Sequence, residues 1–169
     1  MSKVFWLEGL SGSGKTTLGK LLYKEIKLVE AVVLLDGDLL RSGINYGLGF
    51  GIIDRHENIR RTAHIAKICL DNDISVVAAC ITPCEIDRKM VFDIVGQDLI
   101  EIYVKCSLEV CEKRDVKGLY KKARSGEIEL FTGISSPFEE PEYADVIVET
   151  DKMLPEKCID HIIDLLTNK

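Results

Sequence analysis

Two glycines separated by four residues, followed at once by lysine and threonine, constrain this chain more than any other feature: Gly9-Leu10-Ser11-Gly12-Ser13-Gly14-Lys15-Thr16-Thr17. Glycines without Cβ atoms let the backbone curl and aim successive N–H groups inward, so a polyphosphate finds a nest of donors at a helix N-terminus. The pattern places Lys15 on the β and γ oxygens and the Thr16 hydroxyl on Mg²⁺. Val4-Phe5-Trp6-Leu7 reads as a short buried strand before the loop, and Leu18, Leu21, Leu22 and Ile26 form a helical apolar stripe behind it. The plain alternative, a Gly/Ser surface turn, leaves those flanking elements unexplained.

The remainder of the chain repeats this alternation. Apolar, β-branched runs at Val4–Leu7, Val32–Leu35, Val76–Ile81, Ile100–Val104 and Val146–Val148 are separated by helical patterns. Such spacing predicts an α/β fold of the P-loop NTPase type: a five-stranded parallel sheet with helices on both faces, in a single domain over 1–169. Ile59, Ala63, Ala66, Cys69 and Leu70 make the buried stripe of a helix running to about Asp73, and a final helix begins near Pro155. Between strands 4 and 5, about 115–141, the chain is rich in charge, Gly, Ser and Pro. This segment is expected to be a long, weakly packed insertion with a brief helix at Leu119–Ser125 and to serve as a mobile lid, since phosphoryl transfer has to exclude water.

The formal net charge of −6 disfavours a broad nucleic-acid or membrane surface. An acidic chain that handles phosphate must gather its basic residues locally. Arg41, Arg55, Arg60, Arg61 and Lys67 form one such group, and Arg114, Lys117, Lys121, Lys122 and Arg124 another. No apolar run has membrane-span length and the first strand follows Met1 closely, so a cytoplasmic location is expected. Of the six cysteines, none in a Cys-x-x-Cys pair, most are expected to be small hydrophobes on apolar faces, and the three histidines lack metal-ligand spacing.

In parallel sheets ligands collect at the carboxyl ends of the strands. There the second strand gives Asp36-Gly37-Asp38, with Arg41 placed to clamp an anionic acceptor. Two carboxylates beside a phosphate loop suit a magnesium partner and a base for an incoming hydroxyl; Asp38 is assigned as the base and Asp36 as structural. Phe50 among glycines and Phe131 far downstream are either core plugs or faces that sandwich a planar base, and spacing does not choose between these uses.

Taken together, the Gly9–Thr17 loop, Leu35-Asp36-Gly37-Asp38 with Arg41, Gly49-Phe50, Asp54-Arg55-x-Glu57-Asn58-Ile59-Arg60-Arg61, the run Cys111-Glu112-Lys113-Arg114-Asp115-x-Lys117-Gly118-Leu119-Tyr120-Lys121-Lys122-Ala123-Arg124, and Phe131-Thr132-Gly133-Ile134 resemble adenosine 5′-phosphosulfate (APS) kinase. The resemblance runs from about Val4 to Thr150. It implies transfer of the ATP γ-phosphate to the ribose 3′-hydroxyl of APS, giving 3′-phosphoadenosine 5′-phosphosulfate (PAPS), on a fold that is usually homodimeric. Carried over, it implies that Gly9, Ser11, Gly12, Ser13, Gly14, Lys15, Thr16 and Thr17 hold ATP·Mg²⁺, with Arg114 near the ATP base. Asp38 serves as base or magnesium partner beside Lys15. Arg41, Arg55 and Asn58 take the acceptor's phosphate side, and Phe50 and Phe131 stack its base. Ile81 and Thr82 contribute to the acceptor pocket, and Lys117, Gly118 and Leu119 close over it.

The departures from the family pattern cluster at that pocket. Gly51 stands where serine is usual, Cys84 where an aromatic or histidine is usual, and Tyr46 is unexpected before the Gly-Phe loop. A related branch of kinases in capsule modification phosphorylates the ribose 3′-hydroxyl of cytidine diphosphoramidate. APS is the expected acceptor, and that compound is the alternative. A nucleotide-dependent switch is a reading of another class; its GTPase form is disfavoured because an Asn-Lys-x-Asp motif is absent.

Overall fold

All five residues of β1 (Val4–Glu8) are buried, which only a strand covered on both faces allows. The computed structural model describes residues 2–167. β1 is the centre of a parallel sheet whose order is β2-β3-β1-β4-β5, with β2 at Val32–Asp36, β3 at Ser75–Ala79, β4 at Leu99–Lys105 and β5 at Val146–Glu149. Pairing runs Trp6 to Ala78 on one side and Trp6 to Glu101 on the other.

Side chains of successive strand residues point to opposite faces, so each face has its own core. Phe5, Leu7, Val77 and Ile102 meet Leu18 and Leu22 of α1 (Lys15–Ile26) and Ile159 and Ile162 of α7 (Pro155–Thr167). On the other face Val4, Trp6, Val76 and Ala78 meet Ile59, Ala63 and Ala66 of α3 (Ile52–Leu70) and Val91 and Val95 of α4 (Glu85–Val95). Each fully buried Leu, Ile or Val contributes roughly 1.5–3 kcal/mol through removal of apolar area from water. His56 of α3 and Asp87 of α4 meet at 2.7 Å and tie those two helices together.

Three sequence expectations need correction. β3 ends at Ala79 instead of Ile81, because the chain turns sharply at Thr82, whose φ is +48°. The helix expected from Ile59 begins at Ile52 and ends at Leu70. Its first turn leaves Ile52 and Ile53 65% and 83% exposed, so no apolar stripe announced it, and Asp73 lies beyond its end at φ +59°. The lid segment is exposed over about half its length but carries a local apolar core that the sequence did not announce. Tyr120 and Ala123 of α6 (Leu119–Arg124), together with Phe131, bury themselves against Leu10 and Cys111 in a third apolar cluster. Cys111 belongs to α5 (Leu108–Arg114), which leads into that segment.

The cysteines behave as expected. All six are free thiols, and burial pushes Cys80 and Cys111 up to about 12, so both are small protonated hydrophobes.

The sheet centre also carries a buried acid. Glu8 is fully buried at the end of β1, with the Glu101 carboxyl and the Arg88 guanidinium as its polar neighbours. Burial first, and the neighbouring Glu101 carboxyl second, push Glu8 up to about 10. The folded protein therefore holds a proton on Glu8 that the unfolded chain releases near pH 4.5. Its contribution to stability is full below about pH 4.5 and is lost progressively as pH rises toward 10. Glu8→Gln is expected to flatten that fall, so that urea midpoints of variant and parent agree at low pH and separate in the variant's favour as pH rises. Parallel curves over that range would show that Glu8 is ionised in the fold.

Candidate active site

The phosphate loop joins β1 to α1, and its glycines are required by geometry at two positions. A Cβ on Gly9 (φ +145°) would sit 2.5 Å from the Val104 carbonyl oxygen, so the loop leaves the sheet only because that position is bare. Gly14 caps α1 at φ +104°, a left-handed conformation that L side chains rarely adopt. Helix geometry then leaves the N–H groups of Lys15, Thr16 and Thr17 without partners inside α1, facing the cavity at its positive end.

That cavity, of about 890 Å³, is lined jointly by the phosphate loop, the residues after β2, the turn after β3, the lid and the loop into α7. Lys15 enters it from below. Its ammonium is buried and donates to the Leu10 carbonyl at 2.6 Å, and burial lowers its pKa to about 8. An ammonium so dehydrated is poised for an anion that restores its charge.

Asp36 ends β2 and caps the six-residue α2 (Gly37–Ser42): its Oδ1 accepts from the N–H groups of Asp38 at 3.0 Å and Leu39 at 3.4 Å. Its other oxygen accepts from the Thr16 hydroxyl at 2.7 Å. The carboxylate against Thr16 is therefore Asp36, whereas the sequence reading put Asp38 beside it as the magnesium partner. Asp38, two residues later in the first turn of α2, points toward the lid and pairs with Lys117. The reason is directional: a strand's last side chain faces the neighbouring helix N-terminus, whereas the first turn of the next helix has rotated away.

The two arginines expected to clamp an acceptor are spent largely on backbone. Arg41 donates to the Gly49 carbonyl at 2.6 Å, and Arg55 to the carbonyls of Phe50 at 2.6 Å and Leu130 at 2.8 Å. Both also lie over the Phe50 ring, at 4.7 Å for Arg41 and 5.9 Å for Arg55. Burial lowers the pKa of each guanidinium from its ordinary value. Arg55 therefore joins the two phenylalanine loops. Phe50 is 53% exposed, whereas Phe131 is buried edge-on to Tyr120 with ring centres 4.9 Å apart. One of the pair is open to a ligand face and the other is mostly core.

Of the residues singled out from sequence, Ser11, Gly12, Gly14, Lys15, Thr16, Thr17, Asp38, Arg41, Phe50, Arg55, Asn58, Ile81, Thr82, Arg114, Lys117, Leu119 and Phe131 all line this one cavity. Gly9, Ser13 and Gly118 do not. The N–H groups of Gly9 and Ser13 are spent on the Ile81 and Leu10 carbonyls, at 3.3 Å and 3.1 Å, and Gly118 (φ +64°) caps α6. Most of the two basic groups also stands elsewhere, because Arg60 and Arg61 pair with Glu57, Lys67 with Asp71, and Arg124 with Glu112.

Sequence reading missed Thr150, Met153, Leu154 and Pro155, which line the cavity on the loop after β5. Thr150 accepts from Arg114 through its carbonyl at 2.7 Å and donates its hydroxyl to the Ser13 carbonyl at 2.6 Å, so it ties that loop to the phosphate loop. Its place directly after a strand was the available signal. Asn45 was missed too; fully buried, it donates to the Asn58 Oδ1 at 2.9 Å and fixes that amide. No local pattern marks it.

A family model described as adenylylsulphate kinase matches residues 1–149. An adenylyl-sulfate kinase of Clostridium acetobutylicum is 49% identical over 164 residues, covering 96% of this chain and 82% of that protein. One of Bacillus velezensis is 46% identical over 169 residues, covering 99% and 86%. The solved APS kinase of Mycobacterium tuberculosis in complex with AMPPNP and APS superposes with a TM-score of 0.91 at 40% identity, covering 98% of both chains.

The buried ammonium gives a stability test. Lys15 is protonated below about pH 8 in the fold and below about 10.5 when unfolded, so the unfolded chain binds the extra proton between those values. Nucleotide-free Lys15→Met is expected to be more stable than the parent at pH 7, with the gap closing as pH rises from 8 toward 10.5. Thermal melts across that range measure it, and a parent that is the more stable at pH 7 would contradict it.

Proposed function

The chain belongs to the adenylylsulphate kinase family, and from that premise we propose that it transfers the γ-phosphate of ATP to the ribose 3′-hydroxyl of APS, giving PAPS. It is a phosphotransferase with an alcohol acceptor. The observation that carries the reading is that the buried Lys15 and the Asp36–Asp38 tip open into the same cavity from the carboxyl ends of β1 and β2, which flank β3. A triphosphate on the loop and a sugar hydroxyl beside Asp38 would then face each other for in-line displacement.

Thr16 and Asp36 offer a hydroxyl and a carboxylate oxygen side by side, a donor set that fits Mg²⁺. Among the described residues no group of three or more His, Cys, Asp or Glu could hold a metal. Substrate phosphates would complete the coordination, as is usual for this ion. When bound, Mg²⁺ would neutralise part of the negative charge on the phosphates.

The chain's own residues do the rest. Lys15 and the first-turn N–H groups of α1 hold the phosphates through charge and hydrogen bonds. Lys117 leaves Asp38 as the acceptor enters, turning its ammonium toward the transferring group and freeing a carboxylate to accept the 3′-hydroxyl proton. Phe50 offers its exposed ring to the acceptor base, and the lid cluster of Tyr120 and Phe131 keeps water out. On the ATP side, Arg114, Thr150 and Leu154 border the far end of the cavity, where the nucleotide base would lie. The family resemblance extends the proposal to a homodimer located in the cytoplasm. Among the described residues no helix is long and apolar enough to cross a membrane.

Purified protein assayed side by side with ATP plus APS and ATP plus cytidine diphosphoramidate is expected to form ADP in response to APS. Stimulation by the cytidine compound alone would transfer the proposal to that acceptor, and stimulation by neither would end it. Asp38→Asn is expected to lower kcat by about 10²–10⁴, the usual contribution of a positioned base, with the fold intact. Phe50→Ala should raise the KM for APS by the loss of about 1–3 kcal/mol of stacking and leave that for ATP nearly unchanged. Equal changes in both constants would remove Phe50 from the acceptor site.

A further inference from the structure

Arg88 lies on α4 outside the cavity, yet its guanidinium reaches both the Thr82 turn that lines the cavity and the lid's return at Glu139, which packs behind that turn. The residue is 6% exposed. Nη1 donates to the Thr82 carbonyl at 3.1 Å, Nη2 to the Glu139 carbonyl at 2.8 Å, and Nε to the Glu85 carboxylate at 2.9 Å. The Glu8 carboxyl, one residue before the phosphate loop, stands 3.6 Å from Nη1.

Each of these contacts falls where the backbone has little other reason to stay. Thr82 is fully buried and β-branched, and it holds φ +48° immediately before Pro83. A non-glycine residue in that region persists only when its surroundings over-determine it. Two bonds do so: Arg88 on the Thr82 carbonyl, and the Trp6 indole N–H on the Thr82 hydroxyl at 2.9 Å. The turn they hold presents Ile81 and Thr82 to the cavity.

Glu139 belongs to the returning half of the lid segment. Its N–H donates to the Pro83 carbonyl at 2.8 Å, and its carboxylate accepts from the Glu85 N–H at 2.6 Å. The lid's return is therefore fastened to the Thr82–Pro83 turn and to the start of α4, and Arg88 is the side chain shared by all of them. A planar fork with five donors can serve three directions at once, which a lysine ammonium on a flexible stem does not reproduce.

We propose that Arg88 is a positioning residue for the acceptor: by joining the strained Thr82 turn to the lid's return at Glu139, it shapes the acceptor half of the cavity before the acceptor arrives. The ATP half has separate ties, from Arg114 to Gly12 and Thr150, so it does not depend on this junction. The inference rests on the kinase reading above, and it deepens that reading by adding a determinant of acceptor binding outside the pocket wall.

The experiment pairs kinetics with the emission of Trp6, the chain's single tryptophan. In Arg88→Lys, the KM for APS is expected to rise about tenfold or more while that for ATP changes less than about twofold. The Trp6 emission maximum of the nucleotide-free variant should shift from the parent's, because the turn bonded to the indole loosens. A rise of both KM values in the same proportion, no change in either, or an unaltered Trp6 emission would overturn the proposal. Should Arg88→Lys show no cooperative melt, Arg88→Gln decides by the same kinetic criterion, with the rise expected in the APS KM alone. Failure of the parent to use APS would remove APS as the acceptor, whereas the emission arm needs no turnover and judges Arg88 by itself.

Discussion

A lysine ammonium held out of water beneath a helix N-terminus is the constraint to which the rest of this molecule answers. Lys15 has one carbonyl for a partner and no carboxylate in hydrogen-bond reach, so its charge is tolerated at a cost that an incoming polyphosphate removes. Everything that keeps it there is backbone geometry. The bare Gly9 lets the chain pass the Val104 carbonyl, Gly14 turns it into α1, and the central position of β1 makes both fixed points of the sheet. Binding energy for the anion is thus stored in the fold before any ligand arrives.

Around this point, the site is assembled from strand ends by arginines that bind the chain's own carbonyls. Arg41 and Arg55 hold the Phe50 loop, Arg88 holds the Thr82 turn and the lid's return, and Arg114 holds the phosphate loop to Thr150. A protein with a net charge of −6 can handle anionic substrates because its few buried cations are aimed and its surface ones are neutralised in pairs. A guanidinium suits this work, since it stays charged when buried and its fixed fork specifies direction. Loops so clamped lose little further entropy when a ligand orders them.

The two carboxylates after β2 divide their labour by position. Asp36 is tied to Thr16 and to its own helix cap, while Asp38, two residues on, is held by Lys117 from the lid. That contact couples the lid segment to the acidic tip. The cluster of Tyr120, Phe131 and Leu10 beneath gives the lid an apolar seat on the loop it covers.

The order of strands and helices, the phosphate loop and the acidic tip were legible in the sequence, because each is encoded by neighbours: glycines at fixed offsets, β-branched runs of period two, carboxylates at a strand end. Which partners those residues choose was decided by tertiary structure. Thr16 meets Asp36 and not Asp38 because strand and helix direct side chains differently. Phe131 is core where Phe50 is exposed because only one of them sits over Tyr120, and the first turn of α3 escaped notice because Ile52 and Ile53 face outward. The roles of Thr150 and Arg88 went unread for the same reason: each acts across a long stretch of chain, through a hydrogen bond whose geometry exists only after the sheet has brought distant loops together.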